Sequence, residues 1–194
     1  MKRPAVNGQL IIISAPSGAG KTSLIKSLLD ATPGLTLSVS HTTRPRRPGE
    51  IEGEHYFFID STTFAQMVAA GEFLEHAVVF GNCYGTARVS VFNTLAAGFD
   101  VILELDWQGA RRIRKLFPET ISVFIVPPST AALRERLEGR QQDDAATIER
   151  RMAAAADELA HQSEYDYVVL NDSFDHALAD LSAIMRAARL RVRH

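Results

Sequence analysis

Eight consecutive residues, Ala15-Pro16-Ser17-Gly18-Ala19-Gly20-Lys21-Thr22, carry the densest chemistry in the chain. Backbone amides can turn inward on an anion only where side chains are absent, and Gly18 and Gly20 provide that opening. Lys21 adds a full positive charge, and the Thr22 hydroxyl is the hard oxygen ligand that magnesium favours. The spacing is that of the phosphate-binding loop G-x-x-x-x-G-K-[ST], with Ala15 in place of the first Gly. A plain Gly-rich turn is the dull alternative. The flanks decide against it. Residues 9–14 are a β-branched run suited to a strand buried on both faces, and residues 23–29 place Leu24, Ile25, Leu28 and Leu29 on one helical stripe. Residues 15–22 are therefore expected to bind a nucleoside triphosphate, with Thr22 holding Mg2+.

A second set of residues fits an acceptor. Arg44, Arg46 and Arg47 lie within four residues, with Pro45 and Pro48 stiffening the turn. Arginine suits bidentate recognition of phosphate, although a solvated basic loop has the same composition. Glu104 and Asp106 are two apart in a strand-like run, so both are expected to project from one face near its carboxyl end. Either could approach the magnesium hydration shell while the other reads a base. Arg136 and Arg140 are spaced i, i+4 on one predicted helix and Arg151 follows on the next; a surface balanced by Glu135, Glu138 and Glu149 is the bland reading. A GTPase would need an Asn-Lys-x-Asp segment, and no Asn precedes Lys.

The elements that must position these groups read as an α/β core. Besides the first strand, residues 101–105, 121–126 and 167–170 are short buried-strand candidates separated by helical stretches, which argues for a three-layer fold on a mostly parallel sheet. Two stretches break the alternation. Residues 37–89 mix short strand signals at Val39, 56–59 and 78–80 with one helix after Ser61, and read as a small α+β insertion. Residues 129–159 read as a helical hairpin, with Leu133 and Leu137 on its first helix, Gly139 as a stop, and Ile148, Met152 and Leu159 on the second. Its connection, with Gln141, Gln142, Asp143 and Asp144, has little to bury and is expected to move. A last helix starts near Asp175.

Composition sets the outer limits. A length of 194 residues suits one compact unit with room for an insertion, and 21 Lys and Arg against 23 Asp and Glu give a net charge of -2, with no long-range pull toward nucleic acid or an anionic membrane. Neither partner is expected, and neither a monomer nor a homo-oligomer is singled out. The one cysteine, Cys83, cannot close an intramolecular disulfide, and the apolar run at 10–13 is too short for a signal sequence or a membrane span, so a cytoplasmic location is expected.

Several ordered motifs then resemble the guanylate kinase family across essentially the whole chain. They are the phosphate loop, Ser38-Val39-Ser40-His41-Thr42-Thr43-Arg44 with Arg47 and Gly49-Glu50, Gly53-Glu54-His55-Tyr56-Phe57, Phe73-Leu74-Glu75, Gly81-Asn82-Cys83-Tyr84-Gly85-Thr86, and Leu105-Asp106-Trp107-Gln108-Gly109. The resemblance implies a P-loop core from 1–38, 90–128 and 161–194, a GMP-binding region at 39–89 and a helical lid at 129–160. It implies transfer of the terminal phosphoryl group of ATP to GMP or dGMP. Arg44, Arg47, Tyr56 and Tyr84 would hold the GMP phosphate, and Ser40, Glu75, Thr86 and Asp106 would read guanine. Lys21, Arg44, Arg140 and Arg151 would act on the transferring group, and Asn171 and Asp172 match a segment near adenine, where a turn is the dull option. Thr22 would ligate the metal, with Glu104 a second candidate. A related P-loop kinase with another phosphorylated acceptor, or a non-catalytic guanylate-kinase-like interaction module, are the rival readings. Cys83 departs from the family, which usually has a second aromatic beside Tyr84; it reads as a small apolar residue, not a reactive thiol.

Overall fold

A computed structural model describes residues 8–79, 81–139 and 144–191. In chain order the strands are β1 (Leu10–Ser14), β2 (Leu35–Leu37), β3 (His41–Thr42), β4 (Phe57–Phe58), β5 (Phe73–Val79), β6 (Asn82–Ala87), β7 (Asp100–Glu104), β8 (Ile121–Val126) and β9 (Tyr167–Leu170). The helices are α1 (Lys21–Ala31), α2 (Ser61–Ala69), α3 (Arg88–Ala96), α4 (Trp107–Leu116), α5 (Thr130–Glu138), α6 (Ala145–Ala160) and α7 (Phe174–Leu190). A five-stranded sheet has the order β2-β7-β1-β8-β9 and a four-stranded sheet the order β4-β3-β6-β5. The chain divides into two compact units, one of Met1–Leu10, Gly34–Glu104 and Gln108–Thr120, the other of Ile11–Pro33, Leu105–Trp107 and Ile121–His194.

In the second unit β1 runs parallel to β8 and β8 parallel to β9, with Ile11 opposite Ile121 and Val123 opposite Tyr167. All of β1 is buried, as expected of a strand covered on both faces. Asp166 fixes the start of β8 by accepting from the Ser122 amide at 2.8 Å and its hydroxyl at 2.7 Å. Leu24, Ile25 and Leu28 form the buried stripe of α1. The hairpin of α5 and α6 has its own interior of Leu133, Leu137, Ile148 and Ala155, with Met152 packed against it. Both its helices carry side-chain caps: Ser129 accepts from the Ala132 amide and Asp144 from the Thr147 amide.

In the first unit β2 lies parallel to β7, and the second sheet is built around the antiparallel pair β5 and β6. A bulge between Phe73 and Glu75 inserts Leu74 and sets Glu75 directly opposite Thr86.

Three expectations change. Val39 lies outside any strand, and β3 starts at His41. The strand signal at Val78 and Val79 belongs to β5, which begins at Phe73, position 80 lies outside the described residues, and β6 was not foreseen. The strand expected at 101–105 ends at Glu104, so Asp106 stands in the turn before α4 and strand parity does not align it with Glu104. Arg140 and the connection at 141–143 lie outside the described residues. Among the described residues no helix is long and apolar enough to cross a membrane.

Candidate active site

The loop between β1 and α1 has the backbone that its glycines predict. Gly18 and Gly20 have φ of 93° and 92°, the left-handed region open chiefly to glycine. A Cβ on Gly18 would lie 3.0 Å from Leu133 Cδ1, and one on Gly20 would lie 2.5 Å from Asn171 Nδ2. The loop is thus constrained by conformation and by neighbours. Ala19, fully buried, donates its amide to the Pro16 carbonyl at 3.0 Å. Its own carbonyl accepts from Asn171 Nδ2 at 2.7 Å and Arg136 Nη1 at 3.4 Å. Arg136 also donates to the Asn171 carbonyl at 3.0 Å, while the Asn171 amide donates to Val126. Asn171 is therefore a buried brace from β9 to the phosphate loop, more than a turn former. Asp172 is exposed and accepts from the Ser173 amide at 2.6 Å. Thr22 is exposed in the first turn of α1, next to Lys21.

Arg151 lies on α6 one face with Ala155 and Glu158, at i, i+4 and i+7. Glu149 goes to Arg134, in a two-point ion pair with one contact of 2.5 Å and one of 3.1 Å. Burial pushes the Glu158 carboxyl up to about 7; the Lys21 charge and the Ser17 amide pull it down, and Asp106 and Asp157 add to the rise.

In the first unit the expected acceptor residues form two clusters. Arg44 Nη2 pairs with Glu50 Oε1 at 2.6 Å, with the side chains only 11% and 16% exposed. Its guanidinium carbon lies 5.4 Å from the Tyr56 ring centre, and Tyr56 and Tyr84 meet edge-on at 5.9 Å. The Arg47 amide donates to the other Glu50 oxygen at 2.8 Å. Burial resists charge on Arg44 and Glu50 alike, yet their bond, with Tyr84 on one side and the Arg47 amide on the other, holds the guanidinium above and the carboxyl below its ordinary range. Burial, then the nearby Glu104 charge, pushes the Tyr56 phenol up to about 12. The other cluster is the Glu75 and Thr86 pair: both are buried, and the Thr86 hydroxyl donates to Glu75 Oε1 at 2.9 Å. Ser40 precedes β3 and accepts through its carbonyl from the Phe57 amide. Flanking it, Ser38 Oγ and His41 Nδ1 are buried with no hydrogen-bond partner. Cys83 is half-buried, and Thr43 Oγ1 and Thr42 Oγ1 hold its amide and carbonyl.

A family model described as guanylate kinase matches residues 7–188. The chain belongs to the guanylate kinase family. The guanylate kinase of Hahella chejuensis is 58% identical over 185 residues, covering 95% of this chain and 89% of that protein. That of Chromohalobacter salexigens is 55% identical over 190 residues, covering 98% and 88%. A crystal structure of guanylate kinase from Anaplasma phagocytophilum superposes with a TM-score of 0.80 at 34% identity, covering 97% of this chain and 89% of that one. The α/β architecture with its mostly parallel main sheet is the guanylate kinase one.

Of two residues beside the guanylate kinase phosphate loop, Arg136 shows in the sequence only through its i, i+4 spacing from Arg140, and Glu158 does not show at all. Arg136 looks like one of several surface arginines until its partners, Ala19 and Asn171, are known. Glu158 looks like a solvated helix acid, yet it is half-buried on α6 with its Oε2 out of reach of solvent.

Proposed function

We propose that this chain is an ATP:GMP phosphotransferase, giving ADP and GDP, with residues 15–22 as the donor site and residues 39–89 as the acceptor region. The single observation that carries the acceptor reading is the buried Glu75 and Thr86 pair. Thr86 donates its one proton to Glu75, so the pair presents a buried, oriented carboxylate, a group that can only accept. Guanine offers it donors in an N1 hydrogen and a 2-amino group, and adenine has neither. A buried acceptor left without a partner discriminates strongly, so GMP and dGMP are preferred over AMP. Ser40 and Asp106 would complete the reading of the base, and the orphan polar atoms of Ser38 and His41 leave hydrogen-bonding capacity beside Ser40.

Arg44, Arg47, Tyr56 and Tyr84 would hold the acceptor phosphate, whose second pKa of about 6 leaves it largely dianionic at neutral pH, so no general base is needed. The work is alignment of two repelling anions and stabilisation of charge on the transferring group by Lys21, Arg44, Arg140 and Arg151. The hydroxyl of the exposed Thr22, one residue beyond Lys21 and two beyond the Gly20 turn, fits a magnesium ion that arrives on the nucleotide, and Glu104 would be a second candidate to meet its water shell. When bound, that ion would neutralise charge on the donor phosphates. The hairpin at 129–160 would be a lid that closes only with the acceptor present, keeping water from the terminal phosphate. A cytoplasmic location, where ATP is abundant, fits this role.

The test is ADP release with GMP, dGMP, AMP and ribose phosphates offered separately. GMP and dGMP should support turnover, AMP only weakly, and ATP alone should be hydrolysed slowly. Equal rates with ribose phosphates would favour a different acceptor. No nucleotide binding by calorimetry would favour an interaction module.

A further inference from the structure

We propose that His161 is a positioning residue for the acceptor: stacked on Trp107 and oriented by Glu164, it fixes the short segment that carries Asp106. The inference rests on the acceptor reading above, in which Asp106 completes recognition of the base.

The chain enters the second compact unit at Leu105 and leaves it after Trp107, so Asp106 is the middle of a three-residue visit. β7 ends at Glu104 and α4 begins at Trp107, and no strand ladder places the residues between them. Two contacts hold the segment instead. On one side the buried Ser14 hydroxyl donates to the Leu105 carbonyl at 2.7 Å. On the other the Trp107 ring lies face to face with His161, the ring centres 3.8 Å apart and the planes 19° from parallel. Both contacts come from within the second unit: Ser14 ends β1 and leads into the phosphate loop, and His161 caps the C-terminus of α6, the second helix of the proposed lid.

The His161 ring is itself held. Its Nδ1 lies 2.7 Å from Glu164 Oε1, and because a carboxylate only accepts, the imidazole carries the proton of that bond. The Glu164 amide donates back to the His161 carbonyl at 3.0 Å, within one turn of 3-10 helix over Gln162–Glu164. The next residue, Tyr165, is buried and meets Phe124 of β8 edge-on at 4.9 Å, which roots the turn in the main sheet. An imidazole that donates to a carboxylate is polarised toward positive charge, and the face of an indole favours such a ring. Trp107, His161 and Glu164 are all half-buried. An aliphatic side chain would fill the same space. What the pinned imidazole adds is a fixed plane, and a fixed plane sets the rotation of Trp107 and of the backbone just before it. Recognition groups need such support, because a small misplacement of the contacting atom costs much of its effect.

Steady-state kinetics of the full chain, with GMP and Mg-ATP varied in turn, tests this. In His161→Ala the KM for GMP should rise about 3- to 10-fold, the scale of one aromatic contact, while the KM for ATP changes by less than about twofold. His161→Leu, which keeps the bulk without the ring, should behave alike, and His161→Phe should recover most of the loss. Because His161 acts through Asp106, His161→Leu in an Asp106→Asn background should raise the KM for GMP by no more than about twofold. Trp107 is the only tryptophan, so its fluorescence reports the stack. GMP should shield it from acrylamide in the wild type and shield it less in His161→Leu. An unchanged KM for GMP in His161→Leu would overturn the inference and leave the acceptor reading standing. An undiminished effect in the Asp106→Asn background, equal rises in KM for both nucleotides, or equal shielding of Trp107 would overturn it too. Failure of the wild type to turn over GMP would sink the acceptor reading itself, and the inference with it.

Discussion

The Thr86 hydroxyl donates to Glu75 Oε1 at 2.9 Å, between residues that the β-bulge in β5 places directly opposite each other and that are 1% and 7% exposed. The bond fixes the carboxylate's orientation. Glu75→Gln replaces two-sided acceptance by a mixed amide. Hydrogen bonds to charged groups contribute roughly 1.5–3 kcal/mol, so the KM for GMP should rise about 10- to 100-fold. The KM for ATP should hardly move. Steady-state kinetics with each substrate varied in turn checks the split.

Lys21→Ala should remove about 10²-fold or more of kcat, the scale for loss of one electrostatic donor to a transferring group. The residue begins α1 after the Gly20 turn and is not a core side chain, so thermal unfolding should change little. A variant that retained normal turnover would place the transferring phosphate elsewhere.

Gly20 and Asn171 should behave as a coupled pair. Gly20→Ala forces a side chain to φ 92° and puts its Cβ 2.5 Å from Asn171 Nδ2, for which a strain of about 1–3 kcal/mol is expected. Asn171→Ala removes the brace on the Ala19 carbonyl, at about 1–3 kcal/mol. In the double variant the contact is gone, so the combined loss should be smaller than the sum of the two. Urea denaturation of the three variants measures that coupling.

Stability should report Glu158 independently of any ligand. Its carboxyl is raised from 4.5 to about 7 in the folded chain, so between those values the folded state holds a proton that the unfolded state has released. Its contribution is therefore fully present below pH 4.5 and lost as pH rises to 7. Relative to Glu158→Gln, the wild type should lose about 3 kcal/mol across that window and no more above it. Unfolding free energies from denaturant melts at pH 4.5, 5.5 and 7 test this.

How much of this was legible beforehand depended on whether the signal was local. The strand-loop-helix around Gly18 and Gly20 could be read because a β-branched run, two glycines and an apolar stripe each act within a few residues. β8 and β9 were likewise continuous apolar runs. β6 was not, since Asn82-Cys83-Tyr84-Gly85-Thr86-Ala87 has neither apolar alternation nor a dense β-branched run, and it becomes a strand because β5 and β3 supply its hydrogen bonds. The extent of the strand before Asp106 was misjudged because periodicity does not mark where pairing stops. Burial of Glu158 and the bonds of Arg136 are tertiary facts: a helix acid and a helix arginine are solvated by default, and only the packing of α5, α6 and the loop makes them otherwise.

Glu50 holds the Arg44 side chain by one oxygen and the Arg47 backbone by the other. The flexible part of an arginine is its long side chain, and freezing it costs up to about 2 kcal/mol of rotamer freedom. With Glu50 in place that entropy is lost when the protein folds and not when an anion arrives. A chain with alanine at position 50 would keep every group proposed to touch the anion, yet the Arg44 guanidinium would be presented as a loose side chain in place of a preorganised fork.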